Sequence, residues 1–191
     1  MKQFLHAFLF LAISGFLFSA CLTVEGREYR IKLKSDRSGE ATIRFLNIMS
    51  ESDDTVDISH QDFQDLIASY LEGGSPEKDF AGIQNIKKRL FEENGMLIGE
   101  IAFTFDSLAA VRLFRYDDES PIMYFAGNPL SSEQLVETDG TFGRDWMPIV
   151  FWPAETKEFY IKTRTQSEVS YRKPLLNHYR TWLAETEKKR Q

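Results

Sequence analysis

The chain has a single cysteine, Cys21, and it lies at the end of the only strongly apolar run in the sequence. That run, residues 4–18, follows the lone positive charge of Lys2 and is about 15 residues long. A transmembrane helix needs roughly 20 apolar residues, so the run fits the apolar centre of a secretory signal better. One cysteine cannot form an internal disulfide, and the remaining chain must therefore be stabilised by a packed core.

The residues before Cys21 distinguish three ways of cleaving such a signal. Ordinary signal peptidase prefers small residues at positions −3 and −1, and cleavage after Ala20 would place the bulky Phe18 at −3. Cleavage after Cys21 would use Ser19 and Cys21, which is possible but less suitable. The third pattern, Phe18-Ser19-Ala20-Cys21, resembles the lipobox of bacterial lipoproteins, with Phe where that family usually has Leu. The resemblance implies that Cys21 becomes the N-terminus and carries a diacylglycerol; a plain secreted or cytosolic protein with one incidental cysteine is the alternative.

These patterns predict a lipoprotein signal peptide over residues 1–20, a short lipid-anchored tether over 21–27 and a single domain over 28–191. Residue 22 is Leu rather than Asp, and by resemblance to enterobacterial sorting this implies the outer membrane, facing the periplasm. Loss of residues 1–20 removes Lys2 and changes the net charge from −6 to −7. An acidic balance argues against nucleic acid as a partner, and the remaining length is enough to bury a sizeable core.

The first part of the domain predicts a hairpin followed by a helix. Residues 28–48 alternate apolar and polar side chains on either side of a polar turn, as in a half-buried β-hairpin. Ser59 is a good N-cap, and Asp62 three residues later completes a pair like a capping box. The helix that follows has an apolar face and is expected to end at Gly73-Gly74.

Asn94-Gly95 is the strongest local signal in the chain, because this dipeptide favours a type I′ hairpin turn. It lies between predicted strands at Ile86–Phe91 and Met96–Phe105. Asp106 or Ser107 is expected to cap a short helix through Phe114. Three further strands are predicted at Ile122–Phe125, Met147–Trp152 and Glu158–Thr163. A last helix follows, with Pro174 in its first turn.

The predicted order is ββαββαβββα, which indicates an α+β domain: a twisted antiparallel sheet of about seven strands with helices packed on one side. In element order, with a lipobox followed by a basic hairpin, the chain is similar to small envelope lipoproteins of the LppM type.

No catalytic or metal-binding pattern is present in the sequence. The three histidines, His6, His60 and His178, do not form a zinc pattern, and we expect His60 and His178 to be helix-flanking residues. The acidic groups Asp53-Asp54 with Asp57, and 117–119, lack the spacing of an EF-hand loop, so solvated loops are favoured over calcium sites. There is no Gly-x-Ser-x-Gly motif, although a spatial Ser–His pair stays open. We therefore predict no catalytic residue, no metal and no cofactor.

Two segments are candidate binding elements. Arg30, Lys32 and Lys34 share one face of the first strand, with Arg27 and Arg37 at its ends. These five residues either contact anionic head groups or form a solvated face paired with Glu40. The second segment, 139–146, presents Phe142, Arg144 and Trp146 either to a sugar or lipid or, the interpretation that we favour, as an ordinary turn before a buried Trp.

The sequence is thus most consistent with a membrane-anchored envelope lipoprotein that acts as a non-catalytic binding or accessory module for a lipid, glycan or protein. Alternatives are a hydrolase acting on envelope material and a structural or assembly subunit of an envelope complex. A cavity lined by the apolar face of the sheet would favour binding. A large exposed apolar patch would favour assembly, and clustered carboxylates with perturbed pKa values in a cleft would favour an enzyme.

Overall fold

A computed structural model describes residues 22–52, 56–74, 82–126, 133–144, 146–166 and 171–190. The strands are β1 Leu22–Leu33, β2 Gly39–Ser52, β3 Ile83–Glu93, β4 Met96–Phe105, β5 Leu113–Phe114, β6 Ile122–Phe125, β7 Glu133–Thr138, β8 Thr141–Phe142, β9 Ile149–Trp152, β10 Glu158–Thr165 and β11 Tyr171–Pro174. The helical elements are α1 Ser59–Asp65, which continues as a π-helical segment Leu66–Leu71, a 3₁₀ turn Leu108–Val111, and α2 Leu176–Arg190.

The described strands form two antiparallel sheets. The large sheet has the order β3-β4-β2-β1-β10-β7, and β11 pairs with the end of β2. The small sheet has the order β5-β6-β9-β8. An antiparallel α+β domain with a sheet of about seven strands is therefore confirmed, whereas the order ββαββαβββα is wrong. The helix expected to run through Phe114 is only a 3₁₀ turn, and β5, β7, β8 and β11 are too short or too polar to give a clear two-residue period.

Strand β1 begins at Leu22, earlier than predicted. Leu22 pairs with Ser50 of β2, and the register continues without a shift to Leu33 opposite Gly39. Residues 22–27, expected to be a tether, are thus the first half of a strand, with Val24 buried. The reason is that Leu22-Thr23-Val24 is an apolar and β-branched segment, which pairs readily in a sheet.

The inward-facing positions of the β1–β2 hairpin change parity along its length. Tyr29 and Ile43 are buried in one core cluster, and Val24 and Ile48, which pair with each other, are buried in a second. Between them Asn47 adopts a φ of 52°, a conformation that Asn tolerates better than most residues. The hairpin can therefore place apolar residues from odd positions over one half and from even positions over the other half of the same interior.

The first core cluster lies between the two sheets. Tyr29 and Ile31 of β1 pack with Tyr124 of β6 and with Val150 and Trp152 of β9. The ring of Trp152 meets that of Phe159 edge to face, with centroids 5.2 Å apart. Gly140 is required beside this contact, because a Cβ there would come within 2.6 Å of the Trp152 and Val150 side chains.

The second core cluster joins both helices to the other half of the large sheet. Phe63, Leu66 and Ile67 of the first helix and Leu176 and Tyr179 of α2 belong to it, as the predicted apolar faces require. Two predicted details are wrong. No side-chain cap begins α1, because Asp62 accepts a hydrogen bond from Ser50 instead. Pro174 ends β11, so α2 begins only at Leu176.

The Asn94-Gly95 turn is confirmed. Both residues have positive φ, 52° and 74°, as a type I′ turn requires, and Glu93 pairs with Met96 across it.

Candidate ligand-binding site

A cavity of about 520 Å³ lies between the large sheet, the π-helical segment and the 3₁₀ turn. Its wall contains residues of both core clusters, among them Ile43, Phe45, Ile48, Leu66, Ile101 and Val111. The two core clusters meet at this space, and Phe45, which lines it, packs against both. Most of the wall is aliphatic or aromatic, which suits an apolar ligand.

One end of the cavity carries a charged cluster centred on Glu133. The Glu133 carboxylate forms an ion pair with Arg27, accepts hydrogen bonds from the Tyr29 hydroxyl at 3.1 Å and the Thr163 hydroxyl at 3.2 Å, and lies 3.9 Å from the Arg112 guanidinium. We call these five residues the Glu133 cluster. Pairing of β1 with β10, and of β10 with β7, brings Arg27, Tyr29, Thr163 and Glu133 together across the large sheet. Arg112 joins them from the end of the 3₁₀ turn.

Arg112 reaches the cluster from an uncommon backbone conformation. It follows the 3₁₀ turn with φ 60°, in the left-handed region that non-glycine residues seldom occupy. Its guanidinium lies 5.3 Å from the centre of the Tyr124 ring, a cation–π contact. Residues held in such conformations are concentrated at functional sites, where the surrounding structure compensates for the strain.

The two tyrosines of this region are held in the neutral form. Burial raises the pKa of Tyr29 strongly, and the nearby negative charge of Glu133 adds to the rise. Burial likewise raises the pKa of Tyr124. A neutral Tyr29 hydroxyl is needed here, because only the protonated form donates to the Glu133 carboxylate.

The predicted basic residues do not form one surface. Arg30, Lys32, Lys34 and Arg37 are exposed, but Arg27 faces the cavity. Lys32 pairs with Glu158 and Lys34 with Glu40, both at 2.7 Å, and Arg30 lies over the Tyr160 ring. Lys32 is also ten residues along the strand from Leu22, about 33 Å at ~3.3 Å per residue. This arrangement favours the paired, solvated strand face.

The second predicted segment is divided in the same way. Phe142 belongs to β8 and packs partly buried against the first core cluster. Arg144 has φ 71° and accepts a hydrogen bond from the Met147 amide in a turn. Trp146 is 79% exposed, so the expectation of a buried Trp after this turn is wrong. The buried tryptophan is Trp152, whose indole N–H donates to Asp139 at 2.8 Å.

The structure does bring one serine and one histidine together. The Ser59 hydroxyl lies 2.9 Å from Nε2 of His178 and donates to Asp57 at 2.6 Å. Ser59 is only 1% exposed, so a substrate cannot reach its oxygen. Asp57 contacts the serine and, on its other oxygen, Lys173, rather than the far nitrogen of the imidazole as in a catalytic triad. The arrangement fits a structural clasp between α1 and α2.

The acidic residues considered as calcium ligands either bind other groups of the protein or lie outside the described residues. Asp53 and Asp54 lie outside the described residues. Asp57 is occupied by Ser59 and Lys173, and Asp117 accepts from the backbone and hydroxyl of Ser120 in a turn. Within the described ranges no group of three or more potential metal ligands occurs.

Sequence reasoning missed Arg112, Tyr124 and Glu133, because residues so distant in the chain carry no shared local signal. One signal was present at Arg27, whose odd number places it on the same side of β1 as Tyr29 and Ile31. A charge on the apolar face of a strand indicates a buried partner, and Glu133 is that partner.

Comparison of the chain with protein-family models, with curated protein sequences and with solved structures finds no match. Among the described residues, no helix has the length and apolar character needed to cross a bilayer.

Proposed function

We propose that this protein is a lipid-anchored envelope protein whose domain binds an apolar or amphipathic ligand in the cavity and does not act as an enzyme. The observation that carries the proposal is the apolar cavity of about 520 Å³ between sheet and helices. Pockets that bind small ligands commonly measure about 300–1,000 Å³ and are predominantly apolar, with a few polar groups.

The cavity is unusual for a protein interior, which is normally packed as densely as an organic crystal. Ile43, Ile101 and Phe103 of its wall belong to well-buried strands, so the space does not arise from a loose surface loop. A hydrocarbon chain would pack against this predominantly apolar wall, which supports a lipid rather than a glycan among the ligand classes considered.

The envelope location rests on Cys21 and the lipobox-like residues before it. Strand β1 begins at Leu22, so acyl chains on Cys21 would hold the domain directly at the head groups, close to a source of lipid. Substitution Cys21→Ser tests the anchor. We expect the wild-type chain to partition into detergent with the mass of an acylated protein, and the variant to do neither. Equal mass and equal solubility of the two chains would refute lipidation.

The cavity itself is tested by filling it. Ala110 lines the cavity, whereas its neighbour Ala109 is exposed and does not. We therefore compare Ala110→Phe with the matched control Ala109→Phe in the full chain held in lipid nanodiscs. The probe is hexadecanol with a diazirine at the chain end, and the products are mapped by mass spectrometry after irradiation.

We expect the probe to label wall residues such as Leu66 and Ile101 in the wild type and in Ala109→Phe. In Ala110→Phe this labelling should be lost. The proposal fails if the probe labels only outer surfaces, or if Ala110→Phe leaves the cavity labelling unchanged while circular dichroism shows the same fold.

An assembly subunit is the second candidate, and the outer face of the small sheet favours it. Phe114 and Phe125 are 41% and 42% exposed there. They pair across strands with Met123 and Ile149, so the outward side chains form a continuous apolar face, the kind of patch that marks contact sites. A photo-crosslinking residue in place of Phe125, compared with one in place of the exposed Lys87, tests this in cells. One product of defined mass, formed at 125 and not at 87, would favour assembly, and no product at 125 would exclude a stable partner on that face.

A further inference from the structure

We infer that the cavity takes a single-chain amphiphile with an anionic head, such as a carboxylate or phosphate monoester, with the head at Arg27 and Arg112 and the chain along the apolar wall. The inference rests on the proposed function and adds the charge and orientation of the ligand. It follows from the composition of the two ends of one cavity.

The Glu133 cluster carries an excess of positive charge. Within the described residues, Glu133 is the one carboxylate within 4 Å of either the Arg27 or the Arg112 guanidinium. Two guanidinium groups against one carboxylate leave a net charge of +1 at the cavity wall. A partly buried cation in excess of its counter-ion attracts an anion more strongly than an exposed one, because the local dielectric is lower.

Arg112 is the residue placed to accept that anion. It lies farther from Glu133, at 3.9 Å, than a charge-assisted hydrogen bond allows, whereas Arg27 is in direct contact. The Arg112 side chain is 43% exposed. Its guanidinium lies over the Tyr124 ring and donates to the Tyr29 hydroxyl, which uses only part of its five N–H donors. A planar guanidinium edge matches the two oxygens of a carboxylate or phosphate.

A third polar group supports the same position. Thr165 pairs with Glu133 across β10 and β7 and lines the cavity. Its hydroxyl oxygen is buried and has no hydrogen-bond partner among the described residues. Buried hydroxyls are generally paired, and a head-group oxygen between Arg112 and Thr165 would accept a hydrogen bond from it.

The apolar part of the cavity wall indicates that the ligand carries a hydrocarbon chain. Beyond the Glu133 cluster the cavity continues past the apolar side chains of Ile43, Phe45, Ile48 and Leu66. Three charged residues, Lys88, Arg89 and Glu100, also line it. Lys88 donates to the Gly73 carbonyl and Arg89 pairs with Glu100, so these charges have partners within the protein. A free inorganic anion would leave the apolar part empty, whereas an amphiphile occupies both parts. Each CH₂ buried there adds to the affinity, so the chain supplies affinity and the arginines supply selectivity for the head.

The experiment uses the full chain in neutral-lipid nanodiscs with three matched diazirine probes: hexadecanoic acid, hexadecanol and hexadecylamine. Cavity labelling is measured against probe concentration for the wild type, for Arg112→Gln, and for the control Arg115→Gln. Arg115 lies outside the cavity wall and pairs with Asp118. Inorganic phosphate is added as a competitor in a separate arm, and circular dichroism verifies the fold of each variant.

We expect the wild type and Arg115→Gln to bind the acid about tenfold or more tightly than the alcohol, the factor typical of one charge-assisted hydrogen bond. Arg112→Gln should reduce this ratio to near one, with the alcohol unaffected. Equal binding of acid and alcohol by the wild type, or tighter binding of the amine, overturns the anionic head and leaves the proposed cavity function intact. Displacement of the acid by inorganic phosphate as effectively as by unlabelled hexadecanoate overturns the amphiphile. No cavity labelling by any probe overturns both.

Discussion

The Ser59 hydroxyl lies 2.9 Å from Nε2 of His178, although 119 residues separate the two in the chain. Because that hydroxyl donates to Asp57, the imidazole N–H must be the donor to Ser59, which assigns the proton of the neutral ring to Nε2. The contact joins the start of α1 to the first turn of α2, and it orients both helices over the second core cluster.

The His178 contact predicts a stability that falls on acidification. Burial lowers the pKa of His178 below its usual value of 6.5, and the charges of Lys173 and His60 add to the effect. The unfolded chain then binds more protons than the folded chain as the pH falls below about 6.5, so the free energy of unfolding decreases in that range. His178→Gln keeps an N–H donor without titrating. We expect its Tm to fall less steeply than that of the wild type between pH 7.5 and 5; parallel curves would contradict the prediction.

Glu133→Gln should lower stability and raise the affinity for anions. The substitution leaves the half-exposed Arg27 and Arg112 without a counter-charge. Loss of a hydrogen bond to a charged group costs about 2 kcal/mol. The same freed charge should make the cavity bind hexadecanoic acid more tightly relative to hexadecanol. Chemical denaturation and the matched probes measure the two effects. Lower stability with an unchanged preference between acid and alcohol would show that Glu133 acts only in the fold.

Leu66→Asp should destabilise the protein strongly, because it places an unpaired carboxylate in the second core cluster, where Leu66 is 6% exposed. The expected loss is about 3 kcal/mol or more, in the range for a buried unpaired charge. Ala68→Asp, two residues along on the exposed side of the same helix, is the control and should change stability by less than about 0.5 kcal/mol. Trp182→Asp should have an intermediate effect, since Trp182 is only partly buried. Equal melting curves for Leu66→Asp and Ala68→Asp would contradict the packing of this helix.

Gly95→Ala should cost about 1 kcal/mol for a purely backbone reason. Gly95 has φ 74°, and a Cβ there would meet no atom within 4 Å, so only the left-handed conformation opposes the new side chain. Asn94→Gly at the preceding turn position, φ 52°, is the matched control and should be nearly neutral. A Gly95→Ala variant as stable as the wild type would show that the β3–β4 turn changes its type.

The local elements of this fold follow directly from the sequence. Three features were recognisable in this way: the Asn94-Gly95 turn, the strand Ile122–Phe125 and the apolar faces of the two helices. They depend on dihedral preferences and periodicity within a few residues, which the local sequence carries without any tertiary contact. The short strands β5 and β8, of two residues each, exist only because a neighbouring strand supplies their hydrogen bonds, so they carry no periodic signal of their own.

The cavity and the Glu133 cluster were decided by the tertiary structure. The cluster needs β1, β10 and β7 to lie side by side, and strand order depends on long-range pairing that no local pattern encodes. The cavity lies where the two core clusters meet beside Phe45, and this meeting depends on how β1, β2, β4 and the helices pack together. The sequence determined which side chains were apolar and which were charged; only the packed sheets and helices determined that Arg27, Arg112 and Glu133 meet at one end of an apolar space.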